Sequence, residues 1–282
     1  MNNTFNFNRF GLLVKRQWLE FGKIYLISLL VITGVIIGFY FYGLPEPNKH
    51  PTDQASIYNH NDEGHVYLHF RIPLFLVLGF MFISIIASGH FSLLGQKPKA
   101  IIELMTPAST LEKWLCGVFY TGILSVFSFL LIFYLTDMVF VNYLQKIVGQ
   151  ISYTLPAGMN EVPKTVMLSV KPFFVEFFEH KEIRSLALVP IMITSVFLLG
   201  SAYFNRFHYI KTAVVVMLFC TILIYALQRV GTWLTANKVQ NSASFGFRYN
   251  GNEILTYFLI GTVSITLFFW AVTFFRIKEK EV

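Results

Sequence analysis

Three closely spaced histidines are the first side chains in this sequence whose types and spacing suggest chemistry. The polar segment that contains them holds His60, His65 and His69 together with Asp62 and Glu63. Imidazole and carboxylate groups bind Zn²⁺ and similar metals, so this segment is a candidate metal site or the site of an interfacial enzyme. No second cluster of ligands follows, and histidine is common in polar loops. A polar loop without a metal is therefore the favoured interpretation, with metal binding as the alternative.

A second candidate is the segment 89–113, which joins two apolar runs of the sequence. Residues 100–105 can form a short helix, and Pro107 ends it because the residue before a proline avoids the α region. Ser109 and Glu112 then match the S-x-x-E pattern of a capping box, which predicts the start of a new helix. A bare connector needs neither feature. The pattern therefore predicts a structured loop, and an ordinary loop is the alternative.

Motifs of enzymes and of nucleotide-binding proteins are absent from the sequence. The Walker A pattern G-x-x-x-x-G-K-[ST] does not occur, and neither H-E-x-x-H nor G-x-S-x-G is found. We therefore predict that this chain is not an enzyme, that it holds no cofactor and that it does not bind ATP through a P-loop.

Six apolar runs without Asp, Glu, Lys or Arg must position these candidate residues. They are 24–42, 72–88, 114–136, 186–204, 212–228 and 254–275. A helix needs about 17–25 residues to cross a hydrocarbon core of roughly 30 Å, and each run approaches or exceeds this length. Charged residues make up only 13% of the chain, against about 25% in soluble domains. We therefore predict an all-α integral membrane protein with six transmembrane helices, forming one transmembrane domain over residues 1–282.

The excess of basic residues lies on one side of this predicted topology. The segments on the side of the N-terminus hold 12 Lys/Arg and 5 Asp/Glu, and they are 1–23, 89–113, 205–211 and 276–282. The opposite segments hold 10 residues of each kind, and they are 43–71, 137–185 and 229–253. Cytoplasmic loops carry an excess of Lys and Arg. We therefore predict that both termini are cytoplasmic, and the net charge needs no nucleic acid to explain it.

The N-terminal segment 1–23 has an amphipathic pattern. Its apolar residues recur at spacings of three or four, which places them on one stripe of a helix. They are Phe7, Phe10, Val14, Trp18 and Phe21. We therefore predict a helix that lies in the cytoplasmic interface of the membrane and leads into the first span through Lys23. A polar lead with a few anchoring aromatic residues is the alternative.

Two other segments suggest packing roles. Gly34 and Gly38 form a GxxxG pair on one face of the first span, where another helix can approach closely. The segment 137–185, predicted to be extracytoplasmic, contains two amphipathic pieces at 138–148 and 166–178, of which the second is rich in phenylalanine. We predict that this piece packs as a cap over the spans. Contact with the outer leaflet or with a substrate is the alternative.

The apolar runs offer no side chain for proton coupling. Transporters driven by protons place Asp, Glu or His within their spans, and none of the six runs contains these residues. If the protein moves a molecule against a gradient, its energy therefore comes from another subunit. The structured loop 89–113 is a suitable place to receive that energy.

Topology and loop sequence together resemble the membrane subunit of an ATP-binding-cassette (ABC) transporter of the ABC-2 permease class. The likeness covers nearly the whole chain: an interfacial N-terminal helix, six spans, two cytoplasmic ends and the loop sequence ELMTPASTLEKWL that begins at Glu103. The phrase L-x-T-P-A-S-x-x-E-K at this position is similar to that of bacterial permeases. The segment 229–253 departs from the pattern of this permease class. Larger members of the class carry re-entrant helices there, and this segment is short.

The resemblance implies a permease subunit, of an exporter, in the bacterial cytoplasmic (inner) membrane. Two such subunits would pair, as a homodimer or with a similar chain, and separate ATPase subunits that bind ATP-Mg would dock beneath them. A coupling helix at 99–105 would contact the ATPase. The coupling residues that the resemblance implies are Lys99, Ile101, Glu103, Leu104, Met105, Pro107, Ser109, Glu112 and Lys113. Gly34 and Gly38 would suit the dimer interface. A multi-pass scaffold or accessory protein of a larger complex is the alternative function.

Overall fold

The computed structural model describes residues 5–42, 59–60, 65–68, 70–92, 105–148, 152–154, 165–167, 169–179, 188–235 and 251–281. The α-helices in these residues are α1 (Phe7–Tyr42), α2 (Arg71–His90), α3 (Thr110–Val118), α4 (Ser125–Val148), α5 (Phe173–Glu179), α6 (Val189–Tyr203), α7 (His208–Thr235) and α8 (Gly251–Glu281). A π-helix of six residues, Phe119–Leu124, joins α3 to α4.

Five helical segments of the described chain are long and apolar enough to cross a membrane. They are Phe7–Tyr42, Arg71–His90, Thr110–Lys146, His208–Trp233 and Leu255–Lys280. The prediction of an α-helical, multi-pass membrane protein is therefore confirmed. The fourth apolar run contributes the shorter helix α6, which has 15 residues and carries Pro190 in its first turn. A proline is tolerated there because its missing N–H would have no partner within the helix.

The first helix differs from its prediction at Lys23. α1 continues without interruption over 36 residues, so the N-terminal amphipathic segment and the first span are one helix. The predicted transition at Lys23 is absent because no proline breaks the backbone hydrogen bonds and a single glycine, Gly22, is tolerated inside a helix. At 1.5 Å per residue the helix is about 54 Å long, well beyond a hydrocarbon core of roughly 30 Å. The interfacial position of segment 1–23 stays a prediction.

The third span is also longer than its apolar run indicates. α3, the π-helix and α4 form one continuous helical segment from Thr110 to Val148, whereas the apolar run ends at Thr136. Asp137 therefore lies inside a helix, and the predicted amphipathic piece 138–148 is the end of that helix. The prediction that the loop 137–185 begins at Asp137 is therefore wrong. The helix continues past this residue because other residues of the fold compensate its charge.

Short strands occur in connections for which the sequence suggested no sheet. β1 (Asn59–His60) pairs antiparallel with β2 (His65–Tyr67), and β2 pairs in parallel with β5 (Ser169–Val170). β3 (Ser152–Thr154) and β4 (Thr165–Met167) form a separate antiparallel pair. The amphipathic piece 166–178 is thus strand at its beginning and helix only from α5 onward.

The chain divides into two compact units, each built from separate stretches of sequence. Unit 1 comprises Met1–Arg16, Ile83–Ile123 and Ser185–Val282, and unit 2 comprises Gln17–Phe82 and Leu124–Arg184. The assignment of one transmembrane domain to residues 1–282 stays a prediction.

Each unit has its own buried core. In unit 1, the core joins the end of α2 to α6 and α8 through Phe91, Leu198, Ala202 and Ile277. In unit 2, aromatic rings predominate, and the Phe75 ring lies at their centre. Its ring centroid is 5.0 Å from that of Phe133 on α4 and 5.1 Å from that of Phe173 on α5. Aromatic pairs at such distances contribute beyond their buried area.

Candidate functional site

The start of α3 has the capping box that the sequence predicts. Ser109 has an extended backbone, and its hydroxyl oxygen accepts a hydrogen bond from the Glu112 backbone N–H at 3.2 Å. The Glu112 carboxylate in turn accepts the Ser109 N–H at 2.8 Å. These two bonds satisfy backbone donors that the first turn of a helix leaves without partners. The loop that ends at Ser109 is therefore fixed in its direction of entry into α3.

Glu112 also binds the N-terminal segment of the chain. Its Oε1 accepts the Asn6 backbone N–H at 2.8 Å and the Arg9 guanidinium at 3.2 Å. The Glu112 side chain is fully buried, whereas that of Arg9 is one-third exposed. A buried carboxylate is stable only when donors compensate its lost hydration. The three donors and the N-terminal end of the α3 dipole supply that compensation. Glu112 is thus the residue at which α1 and α3 are joined.

Two further bonds extend this junction along α1. The Arg16 guanidinium donates to the Thr106 hydroxyl in the loop before α3. The Tyr120 hydroxyl, in the π-helix, donates to the Val14 carbonyl at 2.7 Å. Contacts of α1 therefore reach both the loop and the two helical elements that follow it, all within unit 1. We call this set of residues, with Asn6, Arg9, Ser109 and Glu112, the α1–α3 junction.

The loop 105–109, which leads into the junction, exposes apolar side chains. Met105 is 76% exposed although it is a large apolar side chain, and Pro107 is exposed as well. Ala108 and Lys113 are buried beside them. The structure thus brings together five of the residues that the sequence singles out, namely Met105, Pro107, Ser109, Glu112 and Lys113. The other four, Lys99, Ile101, Glu103 and Leu104, lie outside the described residues, so the predicted coupling helix stays a prediction.

Contacts within unit 1 place other chain segments at the same end as this loop. Phe91, at the end of α2, packs with Ala202 near the end of α6 and with Ile277 near the end of α8. The Arg276 guanidinium lies 5.2 Å from the centre of the Tyr203 ring. The end of α6 and the C-terminal end of α8 are therefore neighbours of Phe91 and of Trp114 on α3.

Unit 2 contains a group of buried charged residues that the sequence does not predict as a site. The Arg71 guanidinium contacts Asp137 Oδ1 at 3.2 Å and Glu176 Oε2 at 2.6 Å, and its side chain is fully buried. The Tyr40 hydroxyl donates to Asp137 Oδ1 at 2.8 Å, and the Phe173 N–H donates to Asp137 Oδ2 at 2.7 Å. Arg71 therefore connects α2, α4 and α5. Asp137 connects α1 to the same group, because it accepts the hydrogen bond from Tyr40. We call these residues the Arg71 cluster.

A signal for part of this cluster was present in the sequence. Arg71 immediately precedes the second apolar run, and Asp137 immediately follows the third. Consecutive spans run in opposite directions, so these two positions fall at the same end of neighbouring helices. The opposite charges then predict an ion pair. Tyr40 and Glu176 carry no comparable signal, because only the tertiary fold brings them near Arg71.

The remaining candidates of the sequence analysis have different outcomes. An added Cβ at Gly34 or Gly38 would meet no atom of the described chain within 4 Å, so this face of α1 is open. The described residues contain no group of three or more potential metal ligands. His60 and His65 lie in β1 and β2, but Asp62, Glu63 and His69 lie outside the described residues, so the metal alternative is untested.

Comparison of the chain with protein-family models, with curated proteins and with solved structures finds no match. The functional interpretation therefore depends on the residues of this chain and their geometry.

We expect Glu112→Ala to lower the free energy of unfolding by about 1–3 kcal/mol, because it removes the cap of α3 and the carboxylate that accepts the Asn6 and Arg9 hydrogen bonds. Thermal unfolding of the purified protein in detergent measures the change. Glu279→Ala is a matched control, since Glu279 pairs with Arg276 at an exposed site and exposed pairs contribute little. Equal melting temperatures for the two variants would contradict a structural role for the junction.

Proposed function

We propose that this chain is the permease subunit of an ABC transporter of the ABC-2 class and that it acts as an exporter. In this proposal the chain crosses the bacterial cytoplasmic membrane six times, with both termini in the cytoplasm. A second permease subunit completes the path, and separate ATPase subunits bind and hydrolyse ATP-Mg. The fourth apolar run, 186–204, which contains α6, is the span that this proposal adds to the five long helical segments.

The observation that carries this proposal is the α1–α3 junction. A loop that receives force from an ATPase must be tied to the membrane helices that it moves. Glu112 joins the loop residue Ser109 to Asn6 and Arg9 at the start of α1, through bonds of 2.8–3.2 Å. In this proposal a displacement of the loop moves α1 and α3, which begin two of the segments long enough to cross a membrane.

The arrangement of unit 1 supports the proposed topology. Phe91, the connection 204–207 and the C-terminal end of α8 lie at one end of this unit, because Phe91 packs in one cluster with Ala202 and Ile277. The N-terminal residues Asn6 and Arg9 reach the same end through Glu112. Segments on this side carry the excess of Lys and Arg in the sequence, which favours the cytoplasmic side.

Room for a second subunit is available on α1. An added Cβ at Gly34 or Gly38 meets no atom within 4 Å among the residues that the structure describes, and small residues allow close approach of another membrane helix. This open face fits the proposed pairing of two permease subunits. Lipid is the alternative neighbour of the same face.

The test is recovery of an ATPase with the chain from its native membrane. We expect mild detergent extraction and affinity purification to recover a P-loop ATPase that mass spectrometry identifies. We expect Met105→Ser to reduce this recovery about tenfold, because burying one methionine against a partner contributes on the order of 1.5 kcal/mol.

Met138→Ser is the matched control, since Met138 is an exposed methionine on α4 in unit 2. Recovery of the ATPase with this variant should equal that with the unmodified chain. Absence of any ATPase from all preparations would favour the scaffold function instead. Equal recovery with Met105→Ser would show that the ATPase binds elsewhere than the loop before α3.

A further inference from the structure

Basic residues gather in unit 1 where the end of α6, the start of α7 and the end of α8 meet. The segments 203–211 and 276–281 together hold five Lys/Arg and two Asp/Glu. The two segments are neighbours, because the Arg276 guanidinium lies 5.2 Å from the centre of the Tyr203 ring. We call this group the basic end of unit 1, and its members are Arg206, Lys211, Arg276, Lys278 and Lys280.

The basic end lies next to the apolar parts of two long helices. Lys211 immediately precedes the apolar run 212–228, and Arg276 immediately follows the run 254–275. Both runs belong to helical segments that are long enough to cross a membrane. Hydrocarbon excludes charged side chains, so the charged end of such a segment lies at the depth of the phospholipid headgroups. Headgroup phosphates are therefore the anions that this end meets by its position.

Several cations of the basic end are accessible to an anion. Arg206, Lys211 and Lys278 are exposed and form no ion pair within the part of the chain that the structure describes. The Lys211 ammonium lies 5.8 Å from the centre of the Phe204 ring, a contact that leaves its N–H groups able to donate to a phosphate. The described ion pair at this end joins Arg276 to Glu279.

Exposed apolar side chains accompany these cations. Tyr203, Phe207 and Ile210 are large and exposed, and Phe207 is 72% exposed. Surfaces that combine basic and large apolar side chains bind the bilayer interface, where the apolar groups contact acyl chains and the cations attract anionic lipid. The basic end has both components.

The backbone of Phe207 is unusual for an aromatic residue. Its φ is 53°, in the left-handed region that bulky residues rarely adopt and that glycine adopts readily. The Phe207 carbonyl accepts the Lys211 N–H at 2.9 Å and so begins α7. A ring that is mostly exposed gains little from packing within the chain, so its strained position favours a contact outside the chain.

We propose that the basic end of unit 1 binds the headgroup of an anionic phospholipid. Arg206, Lys211 and Lys278 attract the phosphate, while the Tyr203 and Phe207 rings lie beside the first carbons of the acyl chains. The proposed topology assigns this lipid to the cytoplasmic leaflet. The binding itself depends neither on that side nor on an ATPase.

The test is native mass spectrometry of the full-length protein in a nonionic detergent. The protein is titrated with phosphatidylglycerol and, in parallel, with phosphatidylcholine of the same acyl chains. We expect tighter binding of the first phosphatidylglycerol than of the first phosphatidylcholine. We expect Arg206→Gln and Lys278→Gln each to weaken phosphatidylglycerol binding about fivefold, the effect of one basic residue near an anionic surface, and to leave phosphatidylcholine binding unchanged.

Two further variants separate lipid binding from folding. Lys146→Gln is the matched control, because Lys146 is an exposed lysine at the end of α4 in unit 2, and it should bind phosphatidylglycerol as the unmodified chain does. Phe207→Gly should melt in lipid-free detergent at the same temperature as the unmodified chain or above it, since glycine adopts the observed φ without strain. A lower melting temperature would assign the ring to packing within the chain and contradict its contact with lipid.

Four results would overturn the proposal. Equal affinity for the two lipids would show that the headgroup charge is not recognised. Unchanged phosphatidylglycerol affinity in both glutamine variants would show that the lipid binds elsewhere. Displacement of phosphatidylglycerol by millimolar inorganic phosphate would identify a soluble anion as the occupant, and displacement by a poly-glutamate peptide would identify an acidic protein surface. None of these measurements involves an ATPase, so their failure leaves the permease proposal untouched.

Discussion

We expect Arg71→Leu to lower the free energy of unfolding by about 3–5 kcal/mol, the largest effect of any single substitution discussed for this protein. The change leaves Asp137 and Glu176 buried without the guanidinium that lies 3.2 and 2.6 Å from them. Breaking a buried pair costs this much because the carboxylates stay buried after the guanidinium charge that compensates their lost hydration has been removed. Thermal or denaturant unfolding in detergent measures the loss.

A rescue separates charge from packing at Arg71. The triple variant Arg71→Leu, Asp137→Asn and Glu176→Gln removes both carboxylates together with the arginine. We expect it to recover most of the lost stability, since replacing a buried ionic group as a whole is often neutral. Failure of this rescue, with the triple variant as unstable as Arg71→Leu alone, would mean that the arginine acts through shape rather than charge.

We expect Gly200→Ala to destabilise the protein by about 1–3 kcal/mol through overpacking between α6 and α7. A Cβ built at Gly200 lies only 2.9 Å from the Cβ of Thr212. Thr212 is buried, and its hydroxyl donates to the His208 carbonyl at 2.7 Å, so this side chain cannot turn away freely. The two helices must separate to admit the methyl group. Thermal unfolding in detergent measures the change.

Two variants test the cause of this effect. Gly261→Ala, in α8, is the matched control, because an added Cβ there meets no atom of the described part of the chain within 4 Å. It should stabilise the helix slightly, by about 0.5–1 kcal/mol, since alanine has the higher helix propensity. Thr212→Gly in the background of Gly200→Ala clears the crowded position. A double variant no more stable than Gly200→Ala would contradict the overpacking argument.

Local sequence predicted the start of α3 correctly, because a capping box depends on residues three positions apart. Ser109 and Glu112 form both expected bonds. The sequence did not predict that Glu112 also binds Asn6 and Arg9, more than 100 positions earlier in the chain. The local pattern predicts the bond between Glu112 and Ser109, but it does not predict which distant residue will donate to the other carboxylate oxygen of Glu112.

The ends of the long helices were predicted less well, and for a physical reason. The charge that follows Thr136 predicts that the third span ends there. Asp137 nevertheless continues the helix, since Arg71, 66 positions away, and Tyr40 compensate its charge. At the other end of the chain, the transition expected at Lys23 is absent because a single glycine does not end a helix.

The sequence alone determined that this chain is an α-helical, multi-pass membrane protein, because spanning a hydrocarbon core requires long runs of apolar residues and those runs are visible locally. It also determined the cap of α3. Only the tertiary structure decided that Arg71, Asp137 and Glu176 share one buried site, that α5 packs on Phe75, and that Glu112 joins α1 to α3. Such contacts depend on which segments become neighbours, and a buried charge is stable only where the fold supplies its partner.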